Sequence, residues 1–301
     1  MIYVNQLPSV ITNRCKIFAD DLKIYLKISA SSPVSLMLGT SSAQSDINQI
    51  STVAASWGLH MNKDKCALLR FHRGHVAWED IGVYANYYLH NHPIVKVSHH
   101  RDLGVLVDPS LRFHLHIRSI VNKASGVSAN LLKSTLCRDR NFMLTLYTTH
   151  IRPLLEYAST VWNTGFTGDL RLLESVQRSW TRHILGMSDL SYADRLKSLD
   201  LYSVQGRLLR ADMLKVWKIF HGECGICPGE IFTLAPSLGT RGHRYKILPS
   251  HCSLESRRRF FSLRCVNQWN SLPDHVVALE SISSFKSALH TYLGHSLYDF
   301  V

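Results

Sequence analysis

The sequence predicts an α+β fold, with a small antiparallel sheet before about residue 110 and a mainly α-helical region after it. Apolar and polar residues alternate around residues 15–28, which is the period of a half-buried strand. From residue 111 onward, apolar residues recur at every third and fourth position, which is the period of a helix. The change of period divides the 301-residue chain into two predicted domains, residues 1–110 and 111–301.

The two predicted domains differ in charge. Residues 1–110 contain 10 Lys and Arg against 8 Asp and Glu, whereas residues 111–301 contain 24 against 14. A basic second domain favours a polyanionic partner, nucleic acid before a membrane surface. There is no signal peptide and no long apolar run, and the seven cysteines are scattered. These features predict a soluble intracellular protein in a reducing compartment and leave nucleus and cytoplasm open.

The first predicted element is a pair of short strands within Cys15–Ile28. Leu22, Ile24, Leu26 and Ile28 alternate with polar residues after the pair Asp20-Asp21. A weaker alternation precedes the pair, so the two carboxylates fall where the strands would meet in a hairpin. Tight hairpin turns usually contain Gly or Asn, whereas two adjacent carboxylates repel each other. Such a departure from the usual turn residues is expected at functional positions.

Two adjacent carboxylates suit the binding of a hard cation. Mg²⁺ takes oxygen ligands and is commonly held by one or two carboxylates together with substrate phosphates. In two-metal sites, the ions stabilise the attacking and leaving oxygens of an in-line displacement. For an Asp-Asp pair considered alone, a solvated polar turn is the simpler interpretation.

The surrounding residues favour the metal site by resemblance. Phe18-Ala19-Asp20-Asp21 resembles the metal-binding hairpin of the reverse transcriptase palm in non-LTR (LINE-type) retrotransposons. Met1–Pro8 is similar to the segment that runs just ahead of that hairpin. The resemblance implies an RNA-directed DNA polymerase with an RNA template and a DNA primer, and it implies Mg²⁺ bound by Asp20 and Asp21.

After a Ser-rich loop over residues 29–42, a helix is predicted from about Ser45 to Trp57, with Gly58 as its stop. A strand is predicted over Ala67–Phe71. The run from Trp57 to Cys66 is similar to the next palm motif of the family. That motif has a lysine near the triphosphate, and Lys65 is the match; a surface lysine is the alternative interpretation.

Two further stretches before residue 110 are predicted to be extended. Tyr87–Val97 is predicted to form two strands around a short turn. Arg101–Asp108 is predicted to be one more strand. It resembles the Asp-Leu-Gly-Val segment of the family, whose "primer grip" supports the end of the growing strand, and this implies nucleic-acid contacts at Leu103 and Gly104.

Helices are predicted after residue 111 over residues 113–136, 139–162 (broken at Pro153), 169–185, 190–199, 203–221, 254–270 and 283–294. Most apolar stripes on them indicate core packing. Basic residues also recur, and on a basic domain they are candidates for nucleic-acid contacts, although solvated faces are the simpler interpretation. The candidates are Arg178, Arg182, Arg257, Arg258 and Arg259.

The resemblance to non-LTR elements extends to the C-terminal residues, including Arg257–Phe261 and Trp269–Pro273. One departure from the family concerns the start of the chain. A polymerase palm takes a third carboxylate from an earlier strand and needs a fingers region, and neither fits in the fourteen residues ahead of the hairpin. We therefore expect the chain alone to be inactive and an N-terminal remainder of the polymerase to be a partner.

Two alternative functions stay open at this point. The chain is a nucleic-acid-binding or structural remnant of such an element, or it is a zinc-stabilised interaction module. The second alternative depends on His221, Cys224 and Cys227, whose spacing resembles half of a zinc site.

Overall fold

The computed structural model describes residues 3–27, 33–71, 86–236 and 242–300. They form two compact units, divided between His100 and Arg101. The structure is mixed, mainly helical with short paired strands, which confirms the broad α+β class. None of the helices in the described ranges is long and apolar enough to cross a membrane.

The first unit begins with a 3₁₀ helix over Tyr3–Val10. The remaining elements of this unit are strands β1 (Arg14–Phe18) and β2 (Asp21–Tyr25), helix α1 (Pro33–Ser56), a 3₁₀ turn (Lys63–Lys65), and strands β3 (Ala67–Leu68), β4 (Tyr88–Leu89), β5 (His92–Pro93) and β6 (Val95–Lys96). β1 pairs with β2 and β4 with β5, both antiparallel. The prediction of one antiparallel sheet is wrong for the described residues, because these ladders are separate and β3 pairs with β6 in parallel.

Helix α1 is longer than predicted. It begins at Pro33 and not near Ser45, so the predicted Ser-rich loop is wrong from residue 33 on, and residues 29–32 lie outside the described residues. Proline suits the first position of a helix, because its missing N–H would have no partner there. Ala43, Ile50 and Ala54 are buried and fix the helix against its unit. The predicted stop at Gly58 is confirmed, with φ +72° two residues after the helix ends.

Strands β7 (His100–Asp102) and β8 (Val105–Val107) pair at the start of the second unit. The prediction of one strand over Arg101–Asp108 is therefore wrong, because Leu103 and Gly104 turn the chain back. Both have positive φ, 44° and 87°. Glycine adopts such a conformation freely, but for leucine it is strained.

The rest of the second unit is helical, and the predicted helical spacing is confirmed there. Its helices are α2 (His114–Ser134), α3 (Arg140–Leu146), α4 (Arg152–Glu156), α5 (Ser159–Trp162), α6 (Thr167–Arg182), α7 (Tyr192–Leu199), α8 (Val204–Phe220), α9 (Pro228–Ile231), α10 (Glu255–Arg258), α11 (Phe261–Arg264), α12 (Val266–Ser271), α13 (Asp274–Val277) and α14 (Ile282–Leu293). A π-helical turn over Tyr147–Ile151 joins α3 to α4, just ahead of Pro153. The predicted helix over 254–270 is wrong as one element, since it is divided into α10, α11 and α12.

Two hydrophobic clusters form the core of this unit. The first contains Trp162 and Trp180 and is built mainly from α2 to α7. The second contains Trp217, Trp269 and Phe285 and is built from the end of α8 to α14. Helix α8 contributes Val204 and Leu208 to the first cluster and Met213 through Ile219 to the second, so it passes through both.

Candidate metal and nucleic-acid sites

The acidic pair lies at the tip of the β1–β2 hairpin, as the alternation predicted. Phe18 is paired with Asp21, so Ala19 and Asp20 form the two-residue turn and Asp21 opens β2. Ala19 has φ +53°, a conformation that suits Gly or Asn at such a turn. Asp20 and Asp21 are both exposed. Two carboxylates are thus presented together on a tight turn, accessible to a cation.

The two faces of the hairpin differ in chemistry. Residues directly opposite each other lie on one face, and the pairs alternate between faces. The pairs Cys15–Ile24 and Ile17–Leu22 are half-buried, whereas the pairs Lys16–Lys23 and Phe18–Asp21 belong to the other face. That face therefore combines a carboxylate with two ammonium groups, a composition suited to phosphates and their cations.

A buried carboxylate on α1 fixes the chain ahead of the hairpin. Asp46 accepts hydrogen bonds from the backbone N–H of Thr12 (2.9 Å) and Asn13 (3.0 Å) and from the Asn13 side chain (2.7 Å). Burial alone would raise the pKa of Asp46, but these hydrogen bonds outweigh it and lower the pKa. The predicted helix start near Ser45 put Asp46 in the first turn, so this contact was not predicted. The one signal was an acidic residue among the apolar positions of a helix.

Lys65 is exposed at the end of the short 3₁₀ turn that precedes β3. Asn62 caps this turn, since its side chain accepts a hydrogen bond from Asp64 N. Lys65 belongs to the same unit as the acidic hairpin but to a different element. Within the described ranges, no group of three His, Cys, Asp or Glu side chains is placed to hold a metal ion.

The turn between β7 and β8 is held by Tyr157, 54 residues later in the chain. The Tyr157 hydroxyl donates to Leu103 O at 3.0 Å, and Arg101 Nη1 donates to Gly104 O at 3.1 Å. A Cβ at Gly104 would lie 3.1 Å from the Tyr157 ring, so the ring packs directly on the glycine. Trp162 in turn donates from Nε1 to Tyr157 O. The turn predicted to contact nucleic acid is thus supported by Tyr157, and Leu103 is 41% exposed.

Replacing Tyr157 with Phe is expected to loosen this turn. The change removes one hydrogen bond to Leu103 O and should lower the free energy of unfolding by about 1 kcal/mol. Amide hydrogen exchange across residues 101–107 should become faster. Tyr292→Phe removes a similar hydroxyl bond, to Ser271 O, and serves as the control. Equal exchange changes at residues 101–107 in both variants would contradict the assigned role of Tyr157.

His114 and His116 lie two residues apart and face different sides of α2. His114 Nδ1 lies 2.5 Å from Asp169 Oδ2 at the start of α6. His116 is buried, contacts the Trp162 ring and accepts a hydrogen bond from Leu106 N at Nδ1. Burial, with a further contribution from Arg101, lowers the pKa of His116 to about 4. It is therefore a neutral histidine that joins β8 to α2.

The five candidate arginines lie in different surroundings. Arg178 lies over the rings of Tyr192 (4.9 Å to the centroid) and Phe300 (5.4 Å), and Arg182 is exposed at the last position of α6. Arg257 lies over the Phe260 ring, and Arg258 is exposed. Arg259 is bound to Glu255 and to the Thr164 carbonyl. The three consecutive arginines are thus not equivalent, because Arg259 also has a structural role.

Sequence reasoning missed the buried polar groups that join the helices of the second unit. Glu174 of α6 accepts hydrogen bonds from the Tyr192 hydroxyl and from Val204 N at the start of α8 (2.9 Å). Burial raises the pKa of Glu174. Gln177, one turn on, bonds to the hydroxyls of Tyr147 and Tyr192. These partners come from distant parts of the chain, so no local pattern predicts the contacts between them.

Other arginines of the second unit form ion pairs with carboxylates. Arg264 forms a two-pronged pair with Asp212, at 2.8 Å from both Nε and Nη2. Arg207 pairs likewise with Glu156, so this arginine supports the fold and is not free to follow phosphates.

The residues of the zinc hypothesis do not come together. His221 is stacked on Trp217 and bonds to its carbonyl at 2.9 Å. Cys224 accepts a hydrogen bond from Lys215, and Cys227 precedes α9. These three side chains belong to no metal-binding group of the described residues.

Comparisons with known proteins give little further information. No family model matches the chain, and no solved structure matches it. The chain is similar to an uncharacterised protein of Caenorhabditis elegans, with 28% identity over 125 residues. The match covers 40% of this chain and 63% of that protein, so it spans less than two thirds of the relative.

Proposed function

We propose that the chain is part of an RNA-directed DNA polymerase of the non-LTR retrotransposon type, acting on an RNA template and a DNA primer. The observation that carries this proposal is the β1–β2 hairpin. It presents Asp20 in a two-residue turn and Asp21 at the start of the following strand, both exposed. The Phe18-Ala19-Asp20-Asp21 sequence resembles the metal-binding hairpin of that family, and the geometry is compatible with the same use.

Asp20 and Asp21 are the residues that would hold Mg²⁺. They provide hard oxygen donors side by side, and Mg²⁺ completes its shell with substrate phosphates and water. Bound there, the ion would supply neutralisation of the charge on the reacting phosphate. Lys16 and Lys23 lie on the same face of the hairpin as Asp21, and they favour the approach of the phosphate chain. In this proposal Lys65 serves the triphosphate end of the incoming nucleotide, and the Leu103–Gly104 turn contacts the primer.

A nucleic-acid-binding remnant without polymerase activity is the second candidate. It is favoured by the exposed basic residues of the second unit, such as Arg182 and Arg258, because these require no metal chemistry. A zinc-stabilised module has no comparable support, since His221, Cys224 and Cys227 form no metal-binding group among the described residues.

The proposal is tested by Mn²⁺ binding, followed by paramagnetic broadening of the amide signals of the full chain. The signals of the hairpin should broaden first, and Asp20→Asn should weaken Mn²⁺ binding about fivefold. Removing one charge from a solvent-exposed site costs about 1 kcal/mol. Asp64→Asn, an exposed aspartate on another element of the same unit, is the control and should leave the affinity unchanged. Equal effects of the two substitutions would contradict a metal site at the hairpin.

A further inference from the structure

A cleft of about 870 Å³ lies in the second unit, at the first turns of α2 and α6. We name it the α2–α6 cleft and define it by His114, Arg118, Phe166, Asp169 and Arg259. Its volume falls within the range of about 300–1,000 Å³ that is usual for ligand sites. Nothing derived above for the hairpin, the turn or the core uses this cleft.

Guanidinium groups surround one aromatic ring at this cleft. Arg259 lies over the Phe166 ring at 4.1 Å from its centroid, and Arg112 lies over the same ring at 5.9 Å. His114 contacts the ring as well, with centroids 5.2 Å apart. A guanidinium stacked on a ring keeps its N–H groups in its own plane, so it can still donate outward. The ring therefore orders cations around the cleft.

Arg118 provides a guanidinium that is not engaged elsewhere. Its side chain is exposed, and it has no hydrogen bond or ion pair with any of the residues that the structure describes. Arg259, in contrast, is fixed by Glu255 (2.9 Å) and by the Thr164 carbonyl (3.0 Å). Arg259 is thus held in place at the side of the cleft, and Arg118 is available to a ligand.

The acidic groups at this cleft are already paired. Asp169 is 6% exposed, and its Oδ2 lies 2.5 Å from His114 Nδ1. Glu255 is bound to Arg259. Arg112, Arg118 and Arg259 outnumber the carboxylates of Asp169 and Glu255, so the surplus charge is positive even with His114 neutral. The arrangement favours an anion, and the guanidinium fork suits the oxygens of a phosphate.

The geometry points to the α2–α6 cleft as a binding site for the phosphodiester backbone of single-stranded nucleic acid, with Arg118 as the principal phosphate contact. Arg259 and Arg112 both lie over the Phe166 ring, so the ring orients these arginines. The contacts assigned here go to phosphates and not to base edges, so binding at this cleft is sequence-tolerant. The inference rests on the proposed function only in taking nucleic acid as the polyanion.

The size of the α2–α6 cleft favours a single strand over a duplex. A cleft of about 870 Å³ has the volume of a small-ligand site, so the sugar and phosphate of one flexible strand can enter it, whereas a duplex would contact only its rim. Arg257 and Arg258 immediately precede Arg259 and are exposed, so further phosphates of the same strand have cations close by in the chain. A free phosphate would use the same guanidinium groups, and the experiment separates these two sources.

The test is a fluorescence anisotropy titration of the full chain with a labelled oligothymidine of about 20 nucleotides. Arg118→Gln should weaken binding about fivefold at about 50 mM salt and lower the salt slope by about 0.7, the value for one phosphate contact of a single strand. Arg118→Lys keeps the charge but loses the planar fork, so its affinity should lie between those of the wild type and Arg118→Gln, with the salt slope unchanged. Lys133→Gln removes an exposed charge at the far end of α2, about 22 Å away along the helix, and should have no effect.

Three results would overturn the inference. The first is an equal loss of affinity in Arg118→Gln and Lys133→Gln, which would mean that the whole surface binds. The second is displacement of the oligomer by inorganic phosphate at matched ionic strength, which would indicate a site for free phosphate. The third is tighter binding of duplex than of single strand. The Mn²⁺ titration of the hairpin is independent of all three, so a failed cleft and a failed polymerase proposal are distinguishable.

Discussion

Asp20→Asn is expected to abolish primer extension on an RNA template. Phosphoryl transfer depends on positioning and on neutralisation of charge by metal ions. Metal stabilisation of the transition state is worth several kcal/mol, and each 1.36 kcal/mol is a factor of ten in rate. Losing the Asp20 carboxylate should therefore lower the rate by about a thousandfold or more. The assay measures extension of a labelled DNA primer with Mg²⁺ and with Mn²⁺.

The experiment uses two backgrounds. One is the 301-residue chain, and the other is this chain joined at its N-terminus to the earlier palm strand and fingers of a reverse transcriptase of the family that it resembles. We expect extension only in the joined protein. Asp20 and Asp21 come from one turn and the strand that follows it, and the family that the chain resembles adds a carboxylate from an earlier strand. Asp189→Asn, an exposed aspartate of the second unit, is the control and should keep full activity.

The two outcomes that contradict this expectation are distinct. Extension by the 301-residue chain that disappears in Asp20→Asn would mean that the hairpin suffices without the added strand. If the joined protein still extends the primer after Asp20→Asn, the hairpin has no role in catalysis. In that case the nucleic-acid-binding remnant becomes the better account of the chain.

The hairpin could be predicted from the sequence because its information is local. Leu22, Ile24, Cys15 and Ile17 follow the period of two on both strands, and their half-buried face fixes the register. The helices of the second unit were predictable for the same reason, with apolar residues at three- and four-residue spacing. Trp162, Trp180 and Trp217 are fully buried on these faces.

The errors arise where distant residues decide the conformation. Leu103 is strained in the left-handed region, and the turn it forms is stabilised by Tyr157, which no local pattern links to it. The start of α1 was missed because Ser-rich segments are poor helix formers on propensity alone. The pairing of β3 with β6 joins strands 28 residues apart, as with Ala67 and Val95, and two-residue strands give no readable period.

The candidate sites show the same division. Asp20, Asp21 and Lys65 could be named from the sequence because they belong to short motifs. The α2–α6 cleft could not, because it assembles Arg118 with Phe166 and Arg259 from three separate segments. Charge composition indicated a polyanionic partner, but it did not indicate which arginines are engaged in ion pairs.

The C-terminal residues after α14 are docked on the start of α8. Ser203 donates from its backbone N–H to Leu297 O (3.0 Å) and from its hydroxyl to Asp299 O (2.6 Å). Leu297 is fully buried in the second hydrophobic cluster, whereas Tyr298 packs against both clusters. The tail therefore connects the two clusters along α8. The approach is so close that only a glycine fits at position 206.

Gly206→Ala is expected to be one of the most destabilising single substitutions in the second unit. A Cβ at Gly206 would lie 2.2 Å from Leu297 O and 2.6 Å from its carbonyl carbon, and backbone atoms cannot swing aside as a side chain can. Overpacking costs about 1–3 kcal/mol, and displacing the tail loses hydrogen bonds worth about 1 kcal/mol each. We expect a loss of about 3 kcal/mol in the free energy of unfolding, measured by urea denaturation.

Gly126→Ala is the matched control, since Gly126 lies in α2 and has no atom within 4 Å of its Cβ position. There alanine should stabilise the chain by up to about 1 kcal/mol, because it is the better helix former. A second experiment tests whether the clash with Leu297 causes this loss of stability. In a chain shortened after Gly294, the carbonyl of Leu297 is gone, and Gly206→Ala should become neutral or stabilising. An unchanged loss of about 3 kcal/mol in the shortened chain would show that the tail does not pack on Gly206, because contacting groups are non-additive and independent ones are additive.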